Sequence, residues 1–233
     1  MIYVMSDIHG EYEKYRAMLE RIHFSREDEL YVLGDAIYRG PRSAEVLRDM
    51  AARENVYPIL GNHEAMAIQL LEKMMVEITE ENCETHLDGE DMRRLMDWQM
   101  DGGSATLDSF RGLSKEEKLD LLDYMREFTL YETVDVGERS FILVHAGLGN
   151  FDEHRKLRSY RPDELLMTRH DFQRQYFSDP SIYIIVGHIP TLGLTGKPEI
   201  YHSANNIDID CGACFPGGRL ACLCLDTMEE FYV

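Results

Sequence analysis

The chain has 233 residues, with 24 lysine and arginine against 43 aspartate and glutamate side chains and a formal charge of -19 at pH 7. That balance disfavours nucleic-acid or anionic-membrane partners across the general surface, and no apolar run approaches the roughly 20 residues that a membrane span needs. Five cysteines, an odd number, argue against a disulfide framework. Met1 leads straight into a strand pattern with no basic n-region before it, so a cytoplasmic protein is expected. A chain of this length can bury a full core. One domain over residues 1–233 is expected, elaborated by a helical insert at about 73–131.

In chain order, the apolar pair Val4-Met5 leads to Asp7 and His9, and Gly10 then opens a helix with Tyr12, Tyr15, Leu19 and Ile22 at helical spacing. A second strand at 31–33 ends in Gly34-Asp35, and the next helix carries Val46, Leu47 and Met50 on one side. A third strand at 56–60 breaks at Gly61 and delivers Asn62, His63 and Glu64; Met66, Leu70 and Met74 are the predicted buried stripe of the helix that follows. The insert turns strongly acidic through Glu77, Glu80, Glu81, Glu84, Asp88, Glu90 and Asp91, which reads as a solvated face. Ser114 and Glu117 form a capping box before a helix whose predicted buried face is Leu119, Leu122, Met125 and Phe128.

Strands at 133–136 and 140–144 around Gly137-Glu138 read as a hairpin running into His145. Pro162 begins a short helix, and the run 182–186 ends in Gly187-His188. Two last strands, 206–210 and 220–225, flank a turn at Pro216-Gly217-Gly218. Strands alternating with helices first and hairpins later predict an α/β protein with a mixed sheet, or two sheets packed between helices. Cys211, Cys214, Cys222 and Cys224 have the spacing to consider for zinc. Because 220–225 alternates as a strand, they are read as small hydrophobes instead.

Five apolar runs thus end in metal-ligand residue types, at the strand ends where α/β proteins place their sites. Asp7, His9, Asp35, Asn62, His145 and His188 make a mixed nitrogen and oxygen donor set, which suits manganese, iron or zinc better than magnesium or calcium. Asp7 and His9, two apart in an extended segment, point the same way and can chelate one ion. Six ligands exceed one closed zinc site and fit two ions sharing a bridging carboxylate. His23, His86, His154, His170 and His202 lack a partner at useful spacing and are read as non-ligating, most of them solvent-facing.

The order Asp7-Ile8-His9, Gly34-Asp35, Gly61-Asn62-His63-Glu64, Val144-His145-Ala146-Gly147 and Gly187-His188 resembles the calcineurin-like metallophosphoesterases, in particular their bacterial and phage-type phosphoprotein phosphatase branch. Trp98 with Asp101-Gly102-Gly103 is similar to that branch's Trp...Asn-Gly-Gly element, and 166–169 to its arginine-bearing segment. The resemblance implies a four-layer α/β/β/α sandwich of two mixed sheets. It implies two divalent ions, manganese first with iron or zinc as alternatives. Asp7, His9 and Asp35 would hold one, and Asp35, Asn62, His145 and His188 the other. It implies in-line attack on phosphorus by water activated between the ions, His63 as general acid, and Arg39 and Arg169 on the phosphate oxygens.

The activity so implied is that of a serine/threonine protein phosphatase, with phosphotyrosine as a further substrate. A symmetrical dinucleoside polyphosphate (Ap4A-type) hydrolase is the alternative, and a non-catalytic phosphate-binding protein is a third reading. The expected partner is a phosphorylated protein or a small phosphoester. One position departs from the family's Gly-Asp-x-x-Asp-Arg-Gly pattern, because Tyr38 stands where the second aspartate belongs. Without that carboxylate, protonated His63 is expected to be less stabilised unless another carboxylate substitutes.

Overall fold

The computed structural model describes residues 1–76, 79 and 88–233, so Glu77, Glu80, Glu81, Glu84 and His86 lie outside the described residues. The first part of the chain alternates β1 (Ile2–Met5), α1 (Tyr12–Arg21), β2 (Glu29–Val32), α2 (Ser43–Ala51), β3 (Val56–Pro58) and α3 (Asn62–Met75). Next come α4 (Gly89–Trp98), a turn kinked at Gly102 (Gln99–Gly103), α5 (Ser104–Phe110) and α6 (Lys115–Arg126). The remainder holds β4 (Tyr131–Val136), β5 (Arg139–Val144), α7 (Pro162–Leu166), β6 (Ile182–Val186), α8 (Thr191–Thr195), β7 (Tyr201–Ser203), β8 (Asn206–Asp208), β9 (Ala221–Cys224) and β10 (Glu230–Tyr232).

Two mixed five-stranded sheets result, with strand orders β10-β9-β1-β2-β3 and β4-β5-β6-β8-β7. In the first, β1, β2 and β3 run parallel and β9 antiparallel to β1. In the second, β5, β6 and β8 run parallel. Side chains alternate between faces along each strand, and the apolar clusters show where each face goes. Tyr3, Met5, Cys222 and Cys224 pack with helices α1, α2, α3 and α6, whereas Val4, Ala221 and Leu223 meet Phe141, Leu143, Ile185 and Ile207 of the other sheet. Ile142, Val144, Ile184 and Val186 face outward under Leu165 of α7, Tyr160 and Tyr176. The layers are therefore helices, sheet, sheet, and a thin cover of turns around α7. The β9 cysteines serve as small core hydrophobes, and among the described residues no cluster able to hold a metal contains a cysteine. No described helix is long and apolar enough to cross a membrane.

Ser114 accepts from the Glu117 N–H and Glu117 from the Ser114 N–H, closing the predicted capping box of α6. Of the predicted helix faces, Leu70 of α3, Leu122 and Met125 of α6 and Phe128 just after its end are buried and Met66 is partly buried, whereas Met74 and Leu119 are exposed; Ala67 and Leu71 of α3 and Leu121 of α6 are buried as well. Helices α3 and α6 also pack on one another. Strands β7 and β10 are not legible as periodic runs, being three-residue edge strands with incomplete burial. His170, read as non-ligating and grouped with mostly solvent-facing histidines, is buried and bonded to Asn206 Oδ1 at 2.9 Å.

Candidate active site

The parallel strands β1, β2, β3, β5 and β6 all end at one edge and deliver their terminal loops into a single cleft. The backbone there is bent to suit the side chains. Asp7, His9, Asp35, Tyr38, Arg39 and His188 all have positive φ, between 48° and 73°. Non-glycine residues in that region store roughly 1–3 kcal/mol each, so the remaining fold holds the loops in place. A side chain at Gly61 would collide with the Asp35 carboxylate, and one at Gly187 with that of Asp7. Each glycine is thus a requirement of close approach.

All six predicted ligands converge. His145 Nε2 lies 2.8 Å from Asn62 Oδ1 and 3.6 Å from Asp35 Oδ1, and His188 Nδ1 lies 3.0 Å from the same Asn62 oxygen. On the other side, His9 Nε2 is 3.8 Å from Asp7 Oδ1 and 3.9 Å from Asp35 Oδ2. Asp35 faces both groups, one oxygen to each. Asp7 Oδ2 accepts from Ser6 Oγ and from the His188 N–H at 3.0 Å, leaving Oδ1 buried without a hydrogen-bond partner.

The donor set fits divalent metal. His145 Nδ1 donates to Leu33 O at 2.7 Å, and burial keeps the ring neutral by lowering its pKa. Its Nε2 therefore carries a lone pair directed at the Asn62 amide 2.8 Å away, and with the amide oxygen turned inward both atoms are placed to share a cation. His9 is held in the same tautomer by donation from Nδ1 to Ile37 O at 2.9 Å. Backbone carbonyls that orient an imidazole in this way are a regular support of metal ligands. Burial, then the charges of Asp7 and Glu64, hold the Asp35 carboxyl well above the usual carboxylate range. Positive charge between these groups would reverse that repulsion.

Arg39 Nη1 donates to His9 Nε2 at 2.8 Å, and Nη2 lies 3.4 Å from His63 Nε2. His63 Nε2 is 3.5 Å from Asp35 Oδ2, so the ring of the predicted acid faces the centre of the site. Burial, followed by the charges of His9 and Arg39, pushes its pKa down to about 2. Glu64 does not replace the missing aspartate. Its oxygens accept from the Asp35 N–H at 2.8 Å, the Gly61 N–H at 3.1 Å and the Ile37 N–H at 3.2 Å, which fastens β2's loop to the start of α3. Arg169 is exposed, makes no ion pair among the described residues, and its charge acts on His188. It stands apart from the Arg39 cluster.

Four neighbours of the site are absent from the candidates read in the sequence. Asp208 ends β8, a sixth parallel strand, and Asp210 follows it; both are buried with carboxyl groups raised well above the usual range, chiefly by desolvation. Their signal was an Asp-x-Asp spacing like Asp7-x-His9, alternating with Ile207 and Ile209. Phe215 is exposed, with the Arg39 guanidinium carbon 5.2 Å from its ring centroid. Asp101 lies 3.6 Å from both Arg39 Nη2 and His63 Nδ1.

Comparisons with known proteins agree with this geometry. A family model described as calcineurin-like phosphoesterase matches residues 1–213. A symmetrical bis(5'-nucleosyl)-tetraphosphatase of Wigglesworthia glossinidia brevipalpis is 35% identical over 98 residues, 41% of this chain and 36% of that protein. The chain therefore aligns with little more than a third of that relative's length. The enzyme of the same name from Proteus mirabilis is 24% identical over 98% of this chain and 73% of its own. A solved structure provisionally identified as a diadenosine tetraphosphatase superposes with a TM-score of 0.67 at 17% identity, over all of this chain and 92% of that one.

Proposed function

Because the chain belongs to the calcineurin-like phosphoesterase family, whose members carry a dinuclear divalent-metal site, we propose that it hydrolyses the phosphoanhydride of a dinucleoside polyphosphate symmetrically. The convergence of two donor groups on Asp35 carries the hydrolase reading. The named activity of the relatives supports the substrate class, one of them aligning along 98% of this chain. One feature of the cleft also suits a dinucleotide: Phe215 offers an exposed ring beside Arg39 on which a nucleobase can stack. The expectation of a serine/threonine protein phosphatase becomes the second reading. It is favoured by the Trp98 to Gly103 element, which docks on the Arg39 loop through the Arg39 N–H to Gly102 O bond of 3.1 Å.

Asp7, His9 and Asp35 would hold one ion and Asp35, Asn62, His145 and His188 the other, with manganese the first candidate. Such ions supply Lewis acidity and a nucleophile at neutral pH. The chain's own groups do the rest. Arg39, reaching between His9 and His63, presents paired N–H donors to the phosphoryl oxygens and stabilises their charge in the transition state. Arg169, on the His188 side, would meet the flanking phosphate. His63 is neutral in the free site, where burial and the charges of His9 and Arg39 hold its pKa down; the negative charge of a bound polyphosphate raises it again, so that Nε2, facing Asp35, can deliver a proton to the departing oxygen.

The test is hydrolysis by protein stripped of metal and reconstituted with manganese, offering diadenosine tetraphosphate and a phosphothreonine peptide under identical conditions. Preference for the dinucleotide, with ADP as the product, supports the proposal. Preference for the peptide replaces it with the phosphatase reading.

A further inference from the structure

We propose that Asp101, delivered by the kinked turn after α4, is the positioning carboxylate of His63 and takes over from the aspartate that Tyr38 replaces. The inference rests on the general-acid role given to His63 above. Each nearer candidate is otherwise engaged. The Tyr38 ring lies against the imidazole with centroids 4.1 Å apart, yet its hydroxyl is buried and makes no hydrogen bond. Glu64 is committed to three backbone N–H groups, and Asp35 faces Nε2. His63 Nδ1 is left buried without a hydrogen-bond partner. The one carboxylate within 4 Å of it among the described residues is Asp101, Oδ2 at 3.6 Å.

That distance is an ion-pair separation, longer than a direct hydrogen bond. Catalytic hydrogen bonds in free enzymes are commonly long and tighten when substrate binds. Asp101 Oδ1 is also 3.6 Å from Arg39 Nη2, so one carboxylate spans the acid and the arginine. Its delivery is built into the fold. Gly102, at φ 107°, kinks the chain and accepts from the Arg39 N–H. Gly103 leaves room for the Trp98 ring, which packs edge-on against Tyr38 at 5.7 Å. Thr106 Oγ1 accepts from the Tyr38 N–H at 3.1 Å. The turn bearing Asp101 is thus tied to the loop bearing Tyr38 and Arg39 at three points.

A carboxylate at Nδ1 fixes one ring proton there and turns Nε2 toward the reacting centre. In the acid form both ring nitrogens carry a proton, and as the P–O bond breaks the one on Nε2 passes to the leaving oxygen. The neutral imidazole that remains keeps its Nδ1–H on Asp101 and regains a proton from solvent.

The test compares wild-type, Asp101→Asn, Asp101→Glu and His63→Asn, each manganese-reconstituted, on phenyl phosphate and on 4-nitrophenyl phosphate, whose leaving group is much less basic. His63→Asn is expected to lose about 100-fold or more of kcat on phenyl phosphate, and far less on the nitrophenyl ester. Asp101→Asn should follow with about a 10–100-fold loss on phenyl phosphate, Asp101→Glu recovering most of it, with KM little changed in either. The metal-free protein gives a second readout, since Asp101→Asn should shift the His63 ring nitrogens in 1H–15N spectra and leave those of His145 in place. Equal loss on both esters in Asp101→Asn, or a rise confined to KM, would mean that Asp101 serves only Arg39, and overturns the inference while the reading of the site stands. Equal loss on both esters in His63→Asn removes the acid role and the inference with it.

Discussion

Asp35→Asn separates the metal site from the fold that carries it. Asparagine keeps the oxygen that accepts from the His63 N–H at 3.2 Å and removes a carboxylate whose ionisation is opposed by burial and by Asp7 and Glu64. In metal-free protein the substitution should therefore leave stability within about 1 kcal/mol of wild-type, the scale of one hydrogen bond, or raise it. With metal the outcome inverts. Manganese at 100 times its dissociation constant stabilises the folded state by about 2.7 kcal/mol. For a domain of this size that corresponds to a rise in Tm of roughly 5–11 °C. The variant has lost the carboxylate that faces both donor groups and should show little of this rise. Thermal denaturation followed by near-UV circular dichroism, with and without manganese, reads both quantities. An undiminished manganese shift in Asp35→Asn would refute the shared-ligand assignment, and a metal-free loss of several kcal/mol would show that the carboxylate serves packing.

Phe215→Ala should raise KM for diadenosine tetraphosphate by about 5–150-fold, the range expected of one base–aromatic stack, and leave KM for 4-nitrophenyl phosphate unchanged; parallel changes on both would remove the stacking role. Removing Arg169 by Arg169→Ala should weaken the dinucleotide more than the monoester, because its place beside His188 suits a flanking phosphate, and steady-state kinetics on the two substrates decides this. The buried His170, whose pKa burial pushes down to about 4, is neutral in the folded state at a pH where the unfolded chain binds a proton. Stability is complete above about pH 6.5 and is lost as pH falls toward 4, by up to about 3 kcal/mol. His170→Gln should flatten the denaturant midpoint against pH across that window, and an unaltered slope would refute the assignment.

How far the site could be read from the sequence depended on the kind of signal each residue carries. Asp7, His9, Asp35, Asn62, His145 and His188 follow apolar runs, and a parallel strand puts whatever follows it at the carboxyl edge of its sheet, so a local pattern determined a shared location. Asp208 and Asp210 lie in a strand that was also read, at 206–210, but it alternates with Ile207 and Ile209 instead of ending an apolar run, so the same pattern did not single them out. The substitution at Tyr38 was visible, together with the demand for another carboxylate that it creates.

What answers that demand was not visible. Asp101 is 38 positions from His63, in a helical insert whose periodicity says which face is buried and nothing about where a kink will dock. The tautomers of His9 and His145 likewise depend on Ile37 O and Leu33 O, backbone atoms identical in every residue and so without a signature. Period placed Leu70, Leu122 and Met125 on buried faces but not Leu71 or Leu121, which the structure also buries. Sequence by itself determined the alternation of strands and helices, the strand ends and the chemical class of the donors, since these follow from period and residue type over a few neighbours, while the choice of two sheets over one came from the family resemblance. Only the tertiary structure decided which carboxylate faces which nitrogen, because that is set by packing between segments remote in the chain, where no periodic pattern reaches.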